Sequence, residues 1–391
     1  MSRRSAFLPY CKPAVGEAEA NAVTAALLRG WLTTGPQTAA FEEAFARESG
    51  VSHAVALNSC TAGLHLAMVA LGVGPGDEVV MPSLTFVAGA QCAIELGARP
   101  VLCDVDPETF GATLATIAPA VTPRTKAIVT MPYAGRPVGI AEICAFARQR
   151  GIAVIEDAAH GAGTLDRGRW PGTHSDAAVF SFYATKNLTT GEGGMLLAND
   201  GTLAERVRRL SLHGMSRDAW QRYGGRGTWR YDVLEPGYKY NMPDLAASIG
   251  IVQLQRLPAL QRRRDQIAAR YVAGLAGLPG IACQRRPDHP DDRHSWCMFA
   301  LLVDEPAAGI SRDAFVEELR RRNVGTSVHY IPTHAFSAYG GLAVKPLPAT
   351  DAIARCILSL PLYPQMTDVD VEDVLDAVDA VLARGDAATV A

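Results

Sequence analysis

The segment NSCTAGL, residues 58–64, follows an apolar run and opens a predicted helix. The first turn of a helix has free N–H groups and a partial positive charge, so it can bind a phosphate. The hydroxyl of Thr61 could cap the helix and contact that phosphate, with Ser59 and the N–H of Ala62 beside it. The same residues could equally form an ordinary helix cap without a ligand.

A second candidate is IEDAAH, residues 155–160, where two acids end an apolar strand. A carboxylate buried at such a position is costly unless it meets a positive partner. A protonated ring nitrogen would be such a partner, and Asp157 would stabilise its proton by ion pairing. Asp157 could instead be a structural residue that caps the next turn.

The third segment, FSFYATKNLTTGEGG at residues 180–194, places a lysine after an apolar strand. Lys186 is therefore a candidate Schiff-base nucleophile, although a lysine that reaches solvent from the loop fits the same pattern. Ser181 could reach the same phosphate as Thr61. The glycines of GEGG would allow the backbone to approach a ligand closely.

Together the three segments match pyridoxal 5′-phosphate, which has a phosphate, a pyridine nitrogen and an aldehyde. Each segment suits one of these groups, and no segment alone is specific. Phe86, in PSLTFVAG, opens a predicted helix after another strand and could stack on the pyridine ring. A place in the hydrophobic core would suit Phe86 as well.

The elements around these segments alternate between strands and helices. Predicted strands cover residues 53–57, 77–82, 99–105, 125–133, 152–157, 176–182 and 193–199, and predicted helices include 61–72, 86–97 and 139–151. This alternation predicts an α/β fold with a mostly parallel sheet and helices on both faces. A ligand of such a sheet lies at the carboxyl ends of the strands, where all three segments fall.

The pattern changes after about residue 245. A long helical run, partly interrupted at Pro258, precedes a Pro-rich stretch, a strand at 296–304 and helices at 311–323 and near 368–384. The change predicts a large α/β domain over residues 1–250, which would bind the cofactor, and a smaller C-terminal α+β domain over residues 251–391.

The composition argues against several other classes of protein. The 391 residues carry a net charge of −3, so no basic excess points to nucleic acid. The eight cysteines form no CxxC pair, which favours reduced thiols over a metal site. Without a signal sequence or a membrane-spanning run, a cytoplasmic protein with no membrane partner is expected. The cluster GVGPGD at 72–77 follows a helix and precedes a strand, the reverse of a nicotinamide dinucleotide fingerprint.

The order and spacing of the motifs over nearly the whole chain resemble the DegT-type sugar-nucleotide aminotransferases, which are fold-type-I pyridoxal phosphate enzymes. Within that family the sequence motifs are most similar to those of the UDP-4-amino-4-deoxy-L-arabinose–oxoglutarate aminotransferases. It departs from them at Phe86, where they have tryptophan, and at Tyr183, where they have histidine. The motifs are GWLTTGP (30–36), PSLTF, VIEDAAH, FSFYATKN, GEGG, GYKYNM (237–242), HYIPTH (329–334) and LPLYPQMT (360–367).

The resemblance implies a role for each residue around the cofactor. Lys186 would be the Schiff-base lysine, and Asp157 would bind the pyridine nitrogen. Phe86 would stack on the ring, and His160 would contact its hydroxyl side.

The resemblance also implies which residues bind the remaining groups. Asn241 would reach the phosphate bound by the neighbouring subunit, which makes the active unit a homodimer. His329 and Tyr330 would lie near the sugar substrate. The phosphate of the same subunit would contact Thr61, Ala62 and Ser181.

The reaction that the resemblance implies is a ping-pong transamination. L-Glutamate would donate the amino group and leave as 2-oxoglutarate, and a keto-sugar nucleotide, first expected to be a UDP- or dTDP-linked 4-keto sugar, would accept it. A pyridoxal-binding sensor without turnover and a 3-keto-sugar aminotransferase of the same family are the alternatives. Arg226 and Arg230 are candidates for the donor carboxylate, and a surface position would suit them equally.

Overall fold

The computed structural model describes residues 4–216, 231–342 and 345–389 of the chain. None of the helices in these ranges combines the length and the hydropathy that a bilayer-spanning segment needs. The helices are α1 Glu17–Leu28, α2 Pro36–Ser49, α3 Cys60–Ala70, α4 Ala88–Glu95, α5 Leu114–Ile117, α6 Ile140–Arg148, α7 Gly201–Leu210, α8 Asp244–Leu275, α9 Glu305–Ala308, α10 Arg312–Arg321, α11 Pro348–Cys356 and α12 Asp368–Thr389. The strands are β1 His53–Leu57, β2 Glu78–Pro82, β3 Arg99–Cys103, β4 Thr125–Thr130, β5 Ala153–Ala158, β6 Ala177–Ser181, β7 Gly194–Ala198, β8 Ile281–Cys283, β9 Phe299–Val303 and β10 Ile357–Leu360.

Seven strands form a central sheet in the order β1-β7-β6-β5-β4-β2-β3. The pairs among β3, β2, β4, β5 and β6 are parallel, and β7 runs antiparallel to both of its neighbours. Helices cover both faces because alternate residues of each strand point to opposite sides. In β1, Val55 and Leu57 pack with α3, while Ala54 and Ala56 pack with α2. This confirms the predicted α/β fold with a mostly parallel sheet.

A second, smaller sheet lies in the C-terminal part, with the antiparallel order β10-β9-β8. Its core also contains residues of α8, α10 and α12, together with Leu8 from the start of the chain. The backbone of Leu8 bonds to that of Asn323 and Gly325 at 2.8 Å each. The helices and the antiparallel sheet agree with the predicted α+β character, and the domain division at residues 250 and 251, which falls inside α8, stays a prediction.

Helix α8 corrects one expectation, because it runs through Pro258 without a break. A proline inside a helix removes one hydrogen bond and costs about 3 kcal/mol. The apolar face on either side of it is buried, with Leu254, Leu257 and Leu260 all packed away from solvent. Tertiary packing of this kind outweighs the local preference against proline.

The first residue of α8 also fixes the start of α2. The carboxylate of Asp244 accepts hydrogen bonds from the N–H groups of Gly35 at 2.8 Å, Gln37 at 3.0 Å and Thr38 at 2.9 Å. Gly35, which precedes α2, has no side chain that could cap the helix. An acid from a distant part of the chain therefore satisfies the free donors of this helix end.

The carboxylate of Glu156 is a buried charge that points away from Asp157. Its Oε1 accepts hydrogen bonds from Gly172 N at 2.8 Å and Ser175 Oγ at 2.7 Å, and burial raises its pKa to about 7. The folded protein therefore binds a proton more tightly than the unfolded chain does. The contribution of Glu156 to the free energy of unfolding is fully present below the ordinary pKa of about 4.5. It is lost as the pH rises through 7.

Glutamine at position 156 is expected to remove this pH dependence while keeping the acceptor oxygen. Between pH 5 and pH 8, the free energy of unfolding of the wild type should fall relative to Glu156→Gln by about 2.5 kcal/mol. Urea denaturation of both proteins at the two pH values measures the difference. A parallel change in the two proteins would contradict the assignment.

Candidate active site

A cavity of about 420 Å³ opens at the carboxyl ends of β1, β2, β4, β5 and β6. This is the edge at which the parallel-sheet rule places a ligand. All the predicted site residues except Ala62 and Asn241 line it. Its walls are Ser59, Cys60, Thr61, Leu64, Phe86, Ala88, Met131, Asp157, Ala159, His160, Ser181, Tyr183, Thr185, Lys186, Glu192, Gly193, His329 and Tyr330.

The start of α3 forms one end of the cavity. The cap of this helix is Ser59 and not Thr61, because Ser59 Oγ accepts a hydrogen bond from Ala62 N at 3.0 Å. Thr61 lies one residue inside the helix with an exposed side chain that faces the cavity, and Ser181 faces the same cavity from the end of β6. The first-turn N–H groups of Cys60 and Thr61 have no acceptor within the helix, so this end suits an anion.

Gly194, the last glycine of GEGG, allows β7 to lie directly against the start of α3. A Cβ atom at this position would stand 2.5 Å from the carbonyl oxygen of Ser59 and 2.7 Å from the backbone nitrogen of Cys60. Contacts this short do not occur between real atoms, so a larger residue would displace the helix start. The glycine therefore helps to place the anion-binding end of the cavity.

Alanine at position 194 is expected to weaken binding of the pyridoxal phosphate predicted from the sequence by about tenfold or more, the cost of losing a hydrogen bond to a charged group. The reason is displacement of the α3 N-terminus from the phosphate. Titration of the cofactor by absorbance measures the change. Gly74→Ala is the matched control, since nothing lies within 4 Å of a Cβ atom there. Unchanged affinity in the Gly194 variant would contradict the assignment.

The buried Asp157 lines the cavity. Its Oδ1 accepts hydrogen bonds from Ala159 N at 3.1 Å and from the Cys60 thiol at 3.7 Å. In the described part of the chain, Oδ2 accepts none. Burial raises the pKa of Asp157, and the nearby Lys186 opposes that effect. A cationic N–H at Oδ2 would supply the missing partner of this buried carboxylate.

Lys186 reaches the cavity from a turn that leaves β6. The side chain is half-buried, and its backbone N–H donates to Tyr183 O at 3.0 Å. The next residue anchors the turn, because the Asn187 amide donates to Ser295 O at 2.7 Å and to Ala162 O at 3.2 Å. The lysine is thus held at the same cavity as Asp157 by a braced loop.

His160 and Tyr330 form a hydrogen-bonded pair on the cavity wall. His160 Nδ1 accepts from Ala134 N at 3.3 Å, and His160 Nε2 lies 2.9 Å from Tyr330 Oη. Burial lowers the pKa of His160, so the ring is neutral and its proton is on Nε2. The imidazole therefore donates to the phenol oxygen, and both ring nitrogens are engaged within the protein.

Two further residues complete this wall. His329 Nδ1 lies 2.8 Å from Ser359 Oγ, and burial lowers the His329 pKa to about 4. The Tyr133 hydroxyl donates to the backbone oxygen of His329. Phe86 faces Tyr330, with a ring separation of 6.3 Å and just over half of its surface exposed.

Two of the predicted site residues do not line this cavity. The N–H of Ala62 is already donated to Ser59. The side chain of Asn241 bonds to Thr34 Oγ1 at 2.6 Å and to Lys239 Nζ at 2.5 Å. Arg226 and Arg230 lie outside the described residues.

The sequence reasoning missed several cavity residues that are close to the predicted ones. Cys60, Ala159, Thr185, Glu192 and Gly193 stand on the three segments singled out from the sequence. Their residue types alone do not indicate that they line a binding site. Met131 directly follows β4, but the predicted strand ran on to residue 133, so the strand-end rule did not select it from the sequence.

Comparison with known proteins decides which family this site belongs to. Residues 13–379 match the model of the DegT/DnrJ/EryC1/StrS aminotransferase family. The chain belongs to this family. It is a pyridoxal phosphate-dependent sugar aminotransferase of fold type I, which confirms the resemblance seen in the sequence.

Individual relatives of the aminotransferase cover almost all of its length. The spore coat polysaccharide biosynthesis protein SpsC of Bacillus subtilis (strain 168) is 45% identical over 390 residues, 99% of this chain and 100% of SpsC. The crystal structure of the aminotransferase TlmJ from Streptoalloteichus hindustanus has a TM-score of 0.89 and 42% identity, covering 97% of this chain and 99% of TlmJ. The PLP form of the putative sugar aminotransferase Spr1654 from Streptococcus pneumoniae has a TM-score of 0.88 and 30% identity, covering 97% and 99%.

The cavity of the aminotransferase fits the cofactor that the family uses. Its anion-binding end lies at the α3 N-terminus, and Asp157 supplies a carboxylate oxygen, Oδ2, that no described residue donates to. Lys186 supplies the amine. These three groups match the phosphate, the ring nitrogen and the aldehyde of pyridoxal phosphate in chemistry.

Proposed function

We propose that the protein transfers an amino group from L-glutamate to a keto-sugar nucleotide in amino-sugar biosynthesis. The acceptor that we propose is a 4-keto sugar linked to UDP or dTDP. The observation that carries the proposal is that Lys186 and Asp157 line one cavity large enough for a cofactor and a substrate group, and that Asp157 Oδ2 accepts no hydrogen bond from the described residues. Membership of a family of sugar aminotransferases supports the choice of a sugar acceptor.

The cofactor, when bound, supplies a ring that accepts the electrons of the reacting carbon. Asp157 holds the proton on the ring nitrogen, because an ion pair within a buried site favours the charged form. Lys186 would take a proton from the α-carbon of the donor and pass it to the reactive carbon of the cofactor. In the second half of the reaction it would move a proton from that carbon to the sugar carbon that receives the amino group. Ser181, Thr61 and the start of α3 bind the phosphate and keep the ring in place.

His329 and Tyr330 are the proposed contacts of the sugar substrate. Both are uncharged at neutral pH, because burial lowers the pKa of His329 and raises that of Tyr330. Neutral hydroxyl and imidazole groups suit the hydroxyls of a sugar better than they suit a free carboxylate.

We also propose that the active unit is a homodimer located in the cytoplasm. Asn241 lies off the cavity of its own chain, which is compatible with a contact to the phosphate of the neighbouring subunit. Apolar side chains near the start of α2 support an interface, since Leu28 is 85% exposed and Leu32 is 47% exposed. Large exposed apolar side chains in one region are typical of protein–protein contacts.

The test is a pair of half-reactions followed by the visible absorbance of the bound cofactor. L-Glutamate alone should shift the spectrum to that of the pyridoxamine form, and a panel of keto-sugar nucleotides should then be screened for the one that restores it. Restoration by 4-keto sugars supports the proposal, and restoration by 3-keto sugars alone would favour the second aminotransferase assignment. A spectrum that no amino donor shifts would favour a sensor without turnover.

A further inference from the structure

Three polar residues from separate elements form a continuous chain beside the cavity. Ser83 Oγ lies 2.7 Å from His334 Nδ1, and His334 Nε2 lies 3.0 Å from Asp351 Oδ1. Ser83 directly follows β2, His334 stands in a short 3₁₀ turn, and Asp351 lies in the first turn of α11. We call this chain the Ser83–His334–Asp351 relay.

The direction of each hydrogen bond in the relay follows from the chemistry of its members. A carboxylate oxygen accepts, so His334 Nε2 donates to Asp351 Oδ1. His334 Nδ1 and the Ser83 hydroxyl form the second hydrogen bond of the relay. Ser83 Oγ in turn accepts the backbone N–H of His334 at 3.4 Å, and Ser83 itself is fully buried. A serine held in this way is a structural link and not an accessible nucleophile.

The relay joins two segments that both line the cavity. Ser83 precedes Phe86 by three residues, and His334 follows Tyr330 by four. A backbone bond from Thr333 N to Ser83 O, 2.8 Å long, reinforces the junction. The contacts between Ser83 and residues 333–334 therefore connect the segment that carries Phe86 to the segment that carries Tyr330.

The far end of the relay is anchored to the large sheet. Asp104, which follows β3, accepts hydrogen bonds from the N–H groups of Ala349 at 3.0 Å and Thr350 at 2.7 Å at the start of α11. Helix α11 leads directly into β10, whose Ser359 bonds to His329. The segment 329–334 is thus held from both of its ends.

We infer that His334 is a positioning residue that fixes the cavity wall bearing His329 and Tyr330, and so governs binding of the sugar acceptor. This inference rests on the proposed function. Substrate binding by this wall requires its orientation, since small displacements of a positioning group weaken the contacts that it makes. The amino donor reacts at the Lys186 side and should depend less on the relay.

The experiment replaces Asp351, whose side chain is half-exposed, by alanine. The KM for the keto-sugar nucleotide should rise about threefold to tenfold, the value of one hydrogen bond, while the rate of the glutamate half-reaction stays close to that of the wild type. Hydrogen–deuterium exchange should become faster at residues 329–336 and 83–86. These amides report the relay directly and require no turnover.

Two matched variants separate the relay from a simple effect on the helix. Asp351→Asn keeps an acceptor for His334 but removes the charge from the first turn of α11, so it should restore both KM and exchange. Asp313→Ala removes an exposed acid from the first turn of α10 and should change neither.

The outcomes also distinguish the relay from the proposed function. Unchanged exchange in Asp351→Ala, equal effects on both half-reactions, or failure of asparagine to rescue would each overturn the relay. If the wild type transaminates no donor, the proposed function fails, and the exchange data still decide whether the relay positions the wall.

Discussion

Alanine in place of Lys186 is expected to reduce transamination by about 10³-fold or more, the scale of a lost nucleophile and proton-transfer group. The amine reaches the cavity from a braced turn, and no other lysine of the described residues lines that cavity. Turnover of L-glutamate measures the loss. Borohydride reduction of the wild type, followed by peptide mapping, should locate the cofactor on residue 186.

Lys126→Ala provides the control for the lysine experiment. Lys126 is exposed near the start of β4, at the opposite end of the sheet, so its loss should leave the rate unchanged. Wild-type turnover by the Lys186 variant, or a reduced adduct on another residue, would refute the assigned mechanism.

Asparagine at position 157 is expected to lower the rate by about 10²-fold or more, comparable to the loss of one preorganised electrostatic contact. The amide can keep the bonds from Ala159 and Cys60 but places no negative charge opposite the ring nitrogen. The nitrogen would then lose its stabilised proton. Steady-state rates and the absorbance spectrum of the bound cofactor measure both consequences.

The neighbouring acid supplies the control for Asp157. Glu156→Gln changes a buried carboxylate on the same strand, but that carboxylate faces Gly172 and Ser175 on the other side of the sheet. It should alter the pH dependence of stability and leave the rate unchanged. Equal losses of rate in both variants would show that general damage to β5, and not the ring contact, causes the effect.

The central fold was predictable because its strands are short, apolar and bounded by clear turn residues. β1 and β2 are nearly continuous apolar runs, and glycine or proline marks the ends of several neighbouring elements. The segments carrying Asp157 and Lys186 could then be placed at one edge by the parallel-sheet rule alone. The shortest strands, β8 and β10, have three and four residues and were too short for their pattern to be recognised.

Contacts between distant parts of the chain were not readable from the sequence. The cap of α2 comes from Asp244, and the partner of His160 is Tyr330, 170 positions away. Pro258 illustrates the same limit, since local preference predicts an interruption and buried packing maintains the helix. Nothing in the local sequence around Ser83 or His334 indicates that their side chains form a hydrogen bond with each other.

The position of Leu8 has a consequence for how the protein is made. Leu8 completes the core around the smaller sheet, and Arg4 forms ion pairs with Asp370 and Asp373 on α12. During synthesis these residues leave the ribosome before their hydrogen-bond and ion-pair partners, which follow more than 300 positions later. Leu8 and Arg4 must therefore remain undocked until those partners have been synthesised, and a fragment starting at residue 251 would lack one of its own core side chains.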